Sequence, residues 1–150
     1  MPKSGRKGTL ATIGYEHRTL AEFIERLESA GIEIVLDIRA VSSSRRAGFS
    51  KTLLAGSLAE HGIDYLHLRQ LGTPKPGRQA ARAGRIEEMH RIYEAHLAEP
   101  GAQVELARAT EIAGEKRAAL LCYEADPARC HRAIVADRIR DAIGCAVENL

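Results

Sequence analysis

Short apolar runs alternate along the chain with longer segments whose apolar residues recur at helical spacing. Apolar runs over 9–13, 32–38, 63–68 and 118–123 predict four strands, and 146–150 predicts a short fifth. The helical periodicity predicts helices over 19–31, 50–62, 86–100, 102–113 and about 127–143. Strands and helices therefore alternate through most of the sequence.

Capping signals fix two helix starts. Thr19 and Glu22 have the spacing of a capping box, in which each side chain bonds the other residue's backbone N–H. Asp126-Pro127 is a typical N-cap and first-turn pair, which predicts that the last helix begins there. Residues 69–84 hold two prolines and three glycines, so we expect a long loop without regular structure, of the kind that is often functional or mobile.

This alternation predicts an α/β fold. We expect a single-domain, Rossmann-like three-layer sandwich whose mainly parallel sheet has four to five strands. Right-handed crossovers would place helices on both faces of the sheet. The chain has 150 residues, which suits one domain, and we assign residues 1–8 to a disordered basic tail and 9–150 to the α/β domain.

Composition narrows the class of protein. Hydrophobic residues make up 45% of the chain and charged residues 28%, as in soluble globular proteins. No apolar run approaches the ~20 residues needed to span a bilayer, so no membrane partner is expected. The basic amino terminus lacks a hydrophobic signal core, which predicts a cytoplasmic protein. Three cysteines are an odd number, and we interpret them as reduced thiols.

The net charge of +2 is small, but the charge is unevenly placed. Positions 45–85 form a basic zone in which Glu60 and Asp64 are the only acids. Its cations are Arg45, Arg46, Lys51, Arg69, Lys75, Arg78, Arg82 and Arg85. A solvated surface and an anion-binding role both explain such a zone.

Reactive side chains follow each of the first four strands. Ligands of parallel sheets bind beyond the carboxyl ends of the strands, so these residues predict one shared pocket. The candidates are Tyr15, Asp37, Arg39, Ser44, Arg45, His67, Glu124, Cys130, His131 and Arg132.

Each candidate has a chemical role in this prediction. Arginines next to a helix N-terminus suit a phosphate or carboxylate, so Arg39, Arg45 and Arg132 would hold an anion, with Tyr15, Ser44 and His67 as further substrate contacts. Asp37 or Glu124 would position or exchange a proton, and Cys130 or His131 would be the nucleophile or acid–base partner. These catalytic and substrate-binding assignments make up the predicted site.

Structural interpretations compete with the roles of Asp37 and Cys130 and apply to Cys122 as well. Asp37 could pair with Arg39 or Arg132 and hold a loop, because an unpaired buried carboxylate costs several kcal/mol. Near the start of the last helix, Cys130 is placed to be a thiolate and is predicted to face away from the core, but simple packing is equally open. For Cys122, on an apolar strand, packing is favoured.

Other site types fit the spacing less well. Cys122, Cys130 and His131, with His67 or Glu124, could form a zinc set, but the seven residues between the cysteines match no usual zinc spacing, so no metal ligand is assigned. No Gly-x-Gly-x-x-Gly or Walker loop occurs, and no cofactor is identified.

Four blocks of the sequence resemble one family. They are residues 12–15; 36–39 with Ser44-Arg45; 65–68 with Leu71-Gly72; and 121–124 with Cys130-His131-Arg132. In this order they are similar to the signature blocks of the family numbered 488 among domains of unknown function, over roughly residues 9–150. Ala40-Val41 stands where the family usually has a proline-containing stretch, and Gly72-Thr73 replaces a Gly-Gly pair. The resemblance implies one domain and supplies no activity.

The leading hypothesis is a small cytosolic enzyme, a hydrolase or transferase, that acts on an anionic, phosphate-bearing substrate such as a nucleotide or nucleic acid. The alternative is a non-catalytic nucleic-acid-binding module that uses residues 45–85, although the aromatics that such modules interleave are scarce there. A third hypothesis is a metal- or redox-linked thiol site. The sequence leaves the oligomeric state undetermined.

Overall fold

The computed structural model describes residues 8–150, in which five strands form one all-parallel sheet. The strands are β1 (Thr9–Gly14), β2 (Ile34–Asp37), β3 (Asp64–His67), β4 (Ala118–Cys122) and β5 (Ala146–Asn149). Their order across the sheet is β3-β2-β4-β1-β5. The predicted basic tail falls almost wholly outside the described residues, and β1 begins at Thr9 as expected.

Six α-helices occur within residues 8–150. They are α1 (Leu20–Ser29), α2 (Lys51–Glu60), α3 (Lys75–Arg82), α4 (Ile86–Leu97), α5 (Pro100–Glu115) and α6 (Arg132–Ile143). The capping box at the start of α1 is confirmed, since Thr19 and Glu22 bond each other's backbone N–H groups. None of the described helices is both long and apolar enough to cross a membrane.

Helices cover both faces of the sheet. Because side chains alternate along a strand, neighbouring positions of β2 face opposite ways: Val35 packs with residues of α1 and α2, whereas Leu36 packs with residues of α4, α5 and α6. Leu121 and Leu120 of β4 divide in the same way. The predicted Rossmann-like three-layer α/β sandwich is confirmed.

The topology creates a crevice around β4. The chain leaves β1 and β2 toward the face covered by α1 and α2, whereas β3 and β4 lead to helices on the other face. Since β4 lies between β2 and β1, the connections diverge on both of its sides, which is where open α/β sheets bind ligands. The strand ends are level there: Asp37 is in register with His67 and Leu121, and Gly14 with Cys122.

Two predictions of local structure are wrong. Residues 69–84 hold a 3₁₀ turn (Arg69–Leu71) and α3 instead of an irregular loop. Pro76 is tolerated because it lies in the first turn of α3, where its missing N–H would have no partner in the helix. The last helix begins at 132 because Asp126 caps a separate 3₁₀ turn, Pro127–Arg129, by accepting a bond from the Ala128 N–H (3.0 Å).

Candidate functional site

A cavity of about 290 Å³ opens at the carboxyl edge of the sheet. Connections after four strands line it, and five of the predicted site residues meet there: Tyr15, Arg39, Glu124, Cys130 and His131. Asp37, Ser44, Arg45, His67 and Arg132 do not line it. The cavity therefore divides the predicted set into residues that a ligand could contact and residues behind them.

Asp37 and Arg39 form a buried ion pair, the first of the two structural alternatives for Asp37. Their side chains are 0% and 6% exposed, and the carboxylate accepts bonds from Arg39 Nε (2.9 Å) and Nη2 (2.7 Å). The Arg39 backbone N–H (3.1 Å) and the Tyr65 hydroxyl complete its shell. Burial by itself would lower the pKa of Arg39, but the bonds and charge of Asp37 outweigh it and raise that pKa.

Arg39 also holds the aromatic wall of the cavity. Its Nη1 donates to the Tyr15 hydroxyl (3.2 Å) and to the Phe49 carbonyl (2.8 Å), and the Tyr15 ring stacks on that of Phe49 with centroids 4.3 Å apart. The Tyr15 hydroxyl in turn donates to Ser44 Oγ (3.4 Å). Ser44 thus supports Tyr15 from behind the cavity.

Two further predicted contacts, Arg45 and His67, do not line the cavity. Arg45 is exposed, whereas its neighbour Arg46 donates to the carbonyls of Tyr15 (3.2 Å) and Glu16 (2.7 Å) and fixes that loop. His67 Nε2 bonds the Arg39 carbonyl at 2.8 Å. A carbonyl only accepts, so this nitrogen carries the proton.

Cys122 and Cys130 are joined by a disulfide, which corrects the prediction of reduced thiols. The cysteines are 1% and 2% exposed, and both residues line the cavity. The prediction that Cys130 faces away from the core is also wrong. It assumed a helix continuous from 127, whereas Cys130 has extended backbone between the 3₁₀ turn and α6, which turns it inward. The third cysteine, Cys145, is buried and free.

Arg132 lies beneath this turn and bonds it together. Its guanidinium donates to the carbonyls of Glu124 and Ala125 (3.0 Å), to Thr12 Oγ1 (3.2 Å) and to Cys122 Sγ (3.3 Å). Its backbone N–H donates to Cys130 Sγ at 3.3 Å. Burial lowers the pKa of Arg132 to about 10, so the group remains charged at neutral pH. Arg132 therefore stabilises the disulfide turn from inside the protein.

Besides Arg132, two titratable groups beside the disulfide, His131 and Glu124, have shifted pKa values. His131 Nε2 donates to the Ile38 carbonyl (2.6 Å), so its Nδ1 is the unprotonated nitrogen. Burial lowers the pKa of His131 to about 4, which keeps the ring neutral at pH 7. Burial also raises the pKa of Glu124. A higher pKa makes its carboxylate a better proton acceptor.

A metal does not suit this form of the site. Cys122, Cys130 and His131 offer ligand atoms within 4.8 Å of one another. Metals bind cysteine as thiolate, and the two sulfurs are instead bonded to each other. In the reduced protein both sulfurs would be free to bind a metal. That no residue of the site is a metal ligand therefore stays a prediction.

Several lining residues fall outside the predicted site, chiefly Arg78, Arg82 and Arg129, of which the first two appeared only as cations of the basic zone. Arg78, whose Nη1 donates to the Thr73 carbonyl (2.8 Å), and Arg82 both lie on α3. Residues four apart share one face of a helix, so their spacing was a usable signal. The surrounding prolines and glycines favour a loop, and this masks the helical spacing.

Comparison with models of known protein families shows which family the chain belongs to. The model of a family described as Domain of unknown function DUF488 matches residues 19–139. The chain belongs to the DUF488 family. The match runs from the α1 cap through the disulfide turn and into α6, so it confirms the resemblance seen in the sequence motifs. The description of DUF488 names no activity, and no curated protein and no solved structure matches the chain.

Proposed function

We propose that the protein is an enzyme that binds a small anionic substrate, carrying phosphate or carboxylate, in the cavity at the carboxyl edge of the sheet. The charge of the lining carries this proposal. Arg78, Arg82 and Arg129 line the cavity in addition to the paired Arg39, and among the described lining residues Glu124 is the one acid. Guanidinium groups bind phosphate and carboxylate through strong, charge-assisted bonds.

The size of the cavity supports a small ligand. A volume of about 290 Å³ lies at the lower end of the range for small-molecule pockets, ~300–1,000 Å³. A nucleotide or another small phosphorylated molecule could place its anionic group there, whereas a nucleic-acid duplex could not enter. Cys130, His131 and Glu124 lie in the same lining, so an anion bound by the arginines would lie next to groups with acid–base or thiol chemistry, which supports catalysis over binding alone.

The experiment compares two neighbouring arginines. Both residues are exposed, but Arg82 lines the cavity whereas Arg85 pairs with Glu88 (3.1 Å) outside it. Calorimetric titrations would use inorganic phosphate, adenosine monophosphate and a single-stranded oligonucleotide. We expect Arg82→Ala to weaken binding of the two small anions about tenfold or more, the loss of one bond between charged groups, and Arg85→Ala to leave it within twofold.

The same titrations test the nucleic-acid module. In that alternative the exposed cations of the basic zone bind the phosphate backbone, so oligonucleotide affinity would fall steeply with salt and respond equally to Arg82→Ala and Arg85→Ala. Oligonucleotide binding of that kind, without binding of phosphate or the mononucleotide, would replace the enzyme proposal with the module.

A further inference from the structure

The cavity holds a feature that anion binding does not use. A disulfide joins Cys122, the last residue of β4, to Cys130, which follows the 3₁₀ turn Pro127–Arg129 and lies two residues before α6, and both cysteines line the cavity. Each is at most 2% exposed, so large molecules have no access, whereas a small molecule in the cavity would lie against them. We propose that Cys122 and Cys130 are a catalytic dithiol pair that reduces small, carboxylate-bearing disulfides held by the cavity arginines. The choice of substrate, though not the cysteine chemistry, rests on the proposed anion site.

The two sulfurs have different surroundings. Cys130 Sγ lies 3.3 Å from the Arg132 backbone N–H at the first residue of α6, and 3.9 Å from Arg132 Nη1. Donors, a positive charge and a helix N-terminus all stabilise a thiolate. After reduction, Cys130 is therefore the nucleophilic thiolate.

Cys122 is suited to the second step. Its Sγ lies 3.9 Å from Glu124 Oε1 and 3.3 Å from Arg132 Nη1. Glu124 is a half-buried carboxylate, and burial raises its pKa, so it can take the thiol proton when Cys122 attacks. Cys122 is then the resolving cysteine and Glu124 its base.

The reaction balances as a two-electron exchange. The Cys130 thiolate attacks one sulfur of the substrate disulfide, forms a mixed disulfide and releases the first substrate thiolate, which takes a proton from water. Glu124 removes the Cys122 proton, Cys122 attacks the Cys130 sulfur, and the second substrate thiolate leaves with the proton from Glu124. The substrate disulfide is reduced to two thiols, and the protein dithiol is oxidised to the Cys122–Cys130 disulfide. A small cellular thiol, in two equivalents, would restore the dithiol by the reverse exchange.

The cavity charge selects the substrate. Arg78, Arg82 and Arg129 would bind carboxylates at either end of a small disulfide, which favours a dianionic substrate over a neutral one of the same length. Glu124 opposes this charge only until it takes up the Cys122 proton.

The test measures single-turnover reduction by the reduced, desalted protein. The probes are 3,3′-dithiodipropionate, which is a dianion, and bis(2-hydroxyethyl) disulfide, which is neutral. We expect the dianion to react at least tenfold faster. We expect Cys130→Ser to lower both rates at least 100-fold, and Cys122→Ser to stop at a mixed disulfide on Cys130 that peptide mass spectrometry detects. Cys145→Ser, which changes the free cysteine, is the matched control and should keep the wild-type rates.

Mapping the mixed disulfide in wild-type protein quenched with acid gives the same information if a serine variant fails to fold. The proposal is overturned if the wild-type dithiol reduces neither probe, if the adduct maps to Cys145, or if the reduced protein retains stoichiometric zinc and is inert. Failure of this chemistry while phosphate still binds leaves the anion site intact. Equal rates for both probes, unaffected by Arg82→Ala, with no phosphate binding, would refute the anion site and the substrate class but retain the dithiol chemistry.

Discussion

The ends of β2 and β4 lie side by side, and both place ionisable groups at the carboxyl edge, but they differ in what those groups can still do. At the end of β2, donors from Arg39 and Tyr65 surround Asp37, which is fully buried. At the end of β4, Cys122 and Glu124 border a cavity. Position at this edge is therefore not enough to make a charged residue accessible to a ligand.

The difference follows from how each group is satisfied. A buried carboxylate needs donors, and the Asp37 shell consists entirely of protein groups, so its role is to orient Arg39 and through it Tyr15. The sulfurs at the end of β4 are poor acceptors and need no such shell. They remain available to a molecule in the cavity. The first region holds the cavity in shape, and the second forms part of its lining.

The largest expected effect tests the structural role of the β2 end. Asp37→Asn keeps the side-chain shape but removes the charge that pairs with buried Arg39. Breaking one partner of a buried pair typically costs about 3–5 kcal/mol of unfolding free energy, measurable by urea denaturation.

Cys122→Ser, studied with reductant beside reduced wild type, is the matched change at the β4 end. This substitution should lower the free energy of unfolding by about 1 kcal/mol or less, because Arg132 Nη1 can donate to the serine hydroxyl that replaces the sulfur. Similar losses from both variants would contradict the contrast between the two strand ends.

The second prediction concerns His131, which bridges the regions by donating to the Ile38 carbonyl. Because its folded pKa of about 4 lies below the ordinary value, the unfolded chain takes up a proton first as pH falls. The contribution of the neutral His131 ring to the free energy of unfolding is complete above about pH 6.5. It is lost progressively as the pH falls toward 4, by up to about 3 kcal/mol.

Unfolding free energies at pH 7 and pH 4.5 check this. His131→Gln can retain the bond to Ile38 through its amide but does not titrate, so it should lose less stability on acidification than wild type. Parallel losses in the two proteins would show that His131 does not carry this part of the pH dependence.

The third prediction tests how tightly the β4 end is packed. A Cβ on Gly14 would overlap the Glu124 carbonyl oxygen and lie 2.8 Å from Arg132 Nη1. Gly14→Ala should therefore cost about 1–3 kcal/mol of thermal or denaturant stability. Gly56→Ala in α2, whose Cβ would meet nothing within 4 Å, is the control and should stabilise the protein by about 0.5–1 kcal/mol. Equal signs for the two changes would refute the close packing at Gly14.

The sequence by itself determined the features that depend on neighbours along the chain. Thr19 and Glu22 cap a helix because they are three residues apart, and apolar runs such as 32–38 identify strands buried on both faces. From the alternation of these elements came the α/β class, the parallel sheet and the edge at which the cavity lies. Local spacing failed in α3, where proline and glycine favoured a loop, and at Asp126-Pro127, where the cap starts a 3₁₀ turn and the last helix begins later.

The tertiary structure decided which of the predicted groups meet. The order β3-β2-β4-β1-β5 sets β4 between the diverging connections, and no local pattern encodes that order. Pairing of Cys122 with Cys130 needed the chain to turn inward after Pro127–Arg129, which a continuous helix would have prevented. Asp37 and Glu124 look alike in the sequence. One became a partner of Arg39 and the other a wall of the cavity because burial and hydrogen-bond partners are properties of the folded neighbourhood.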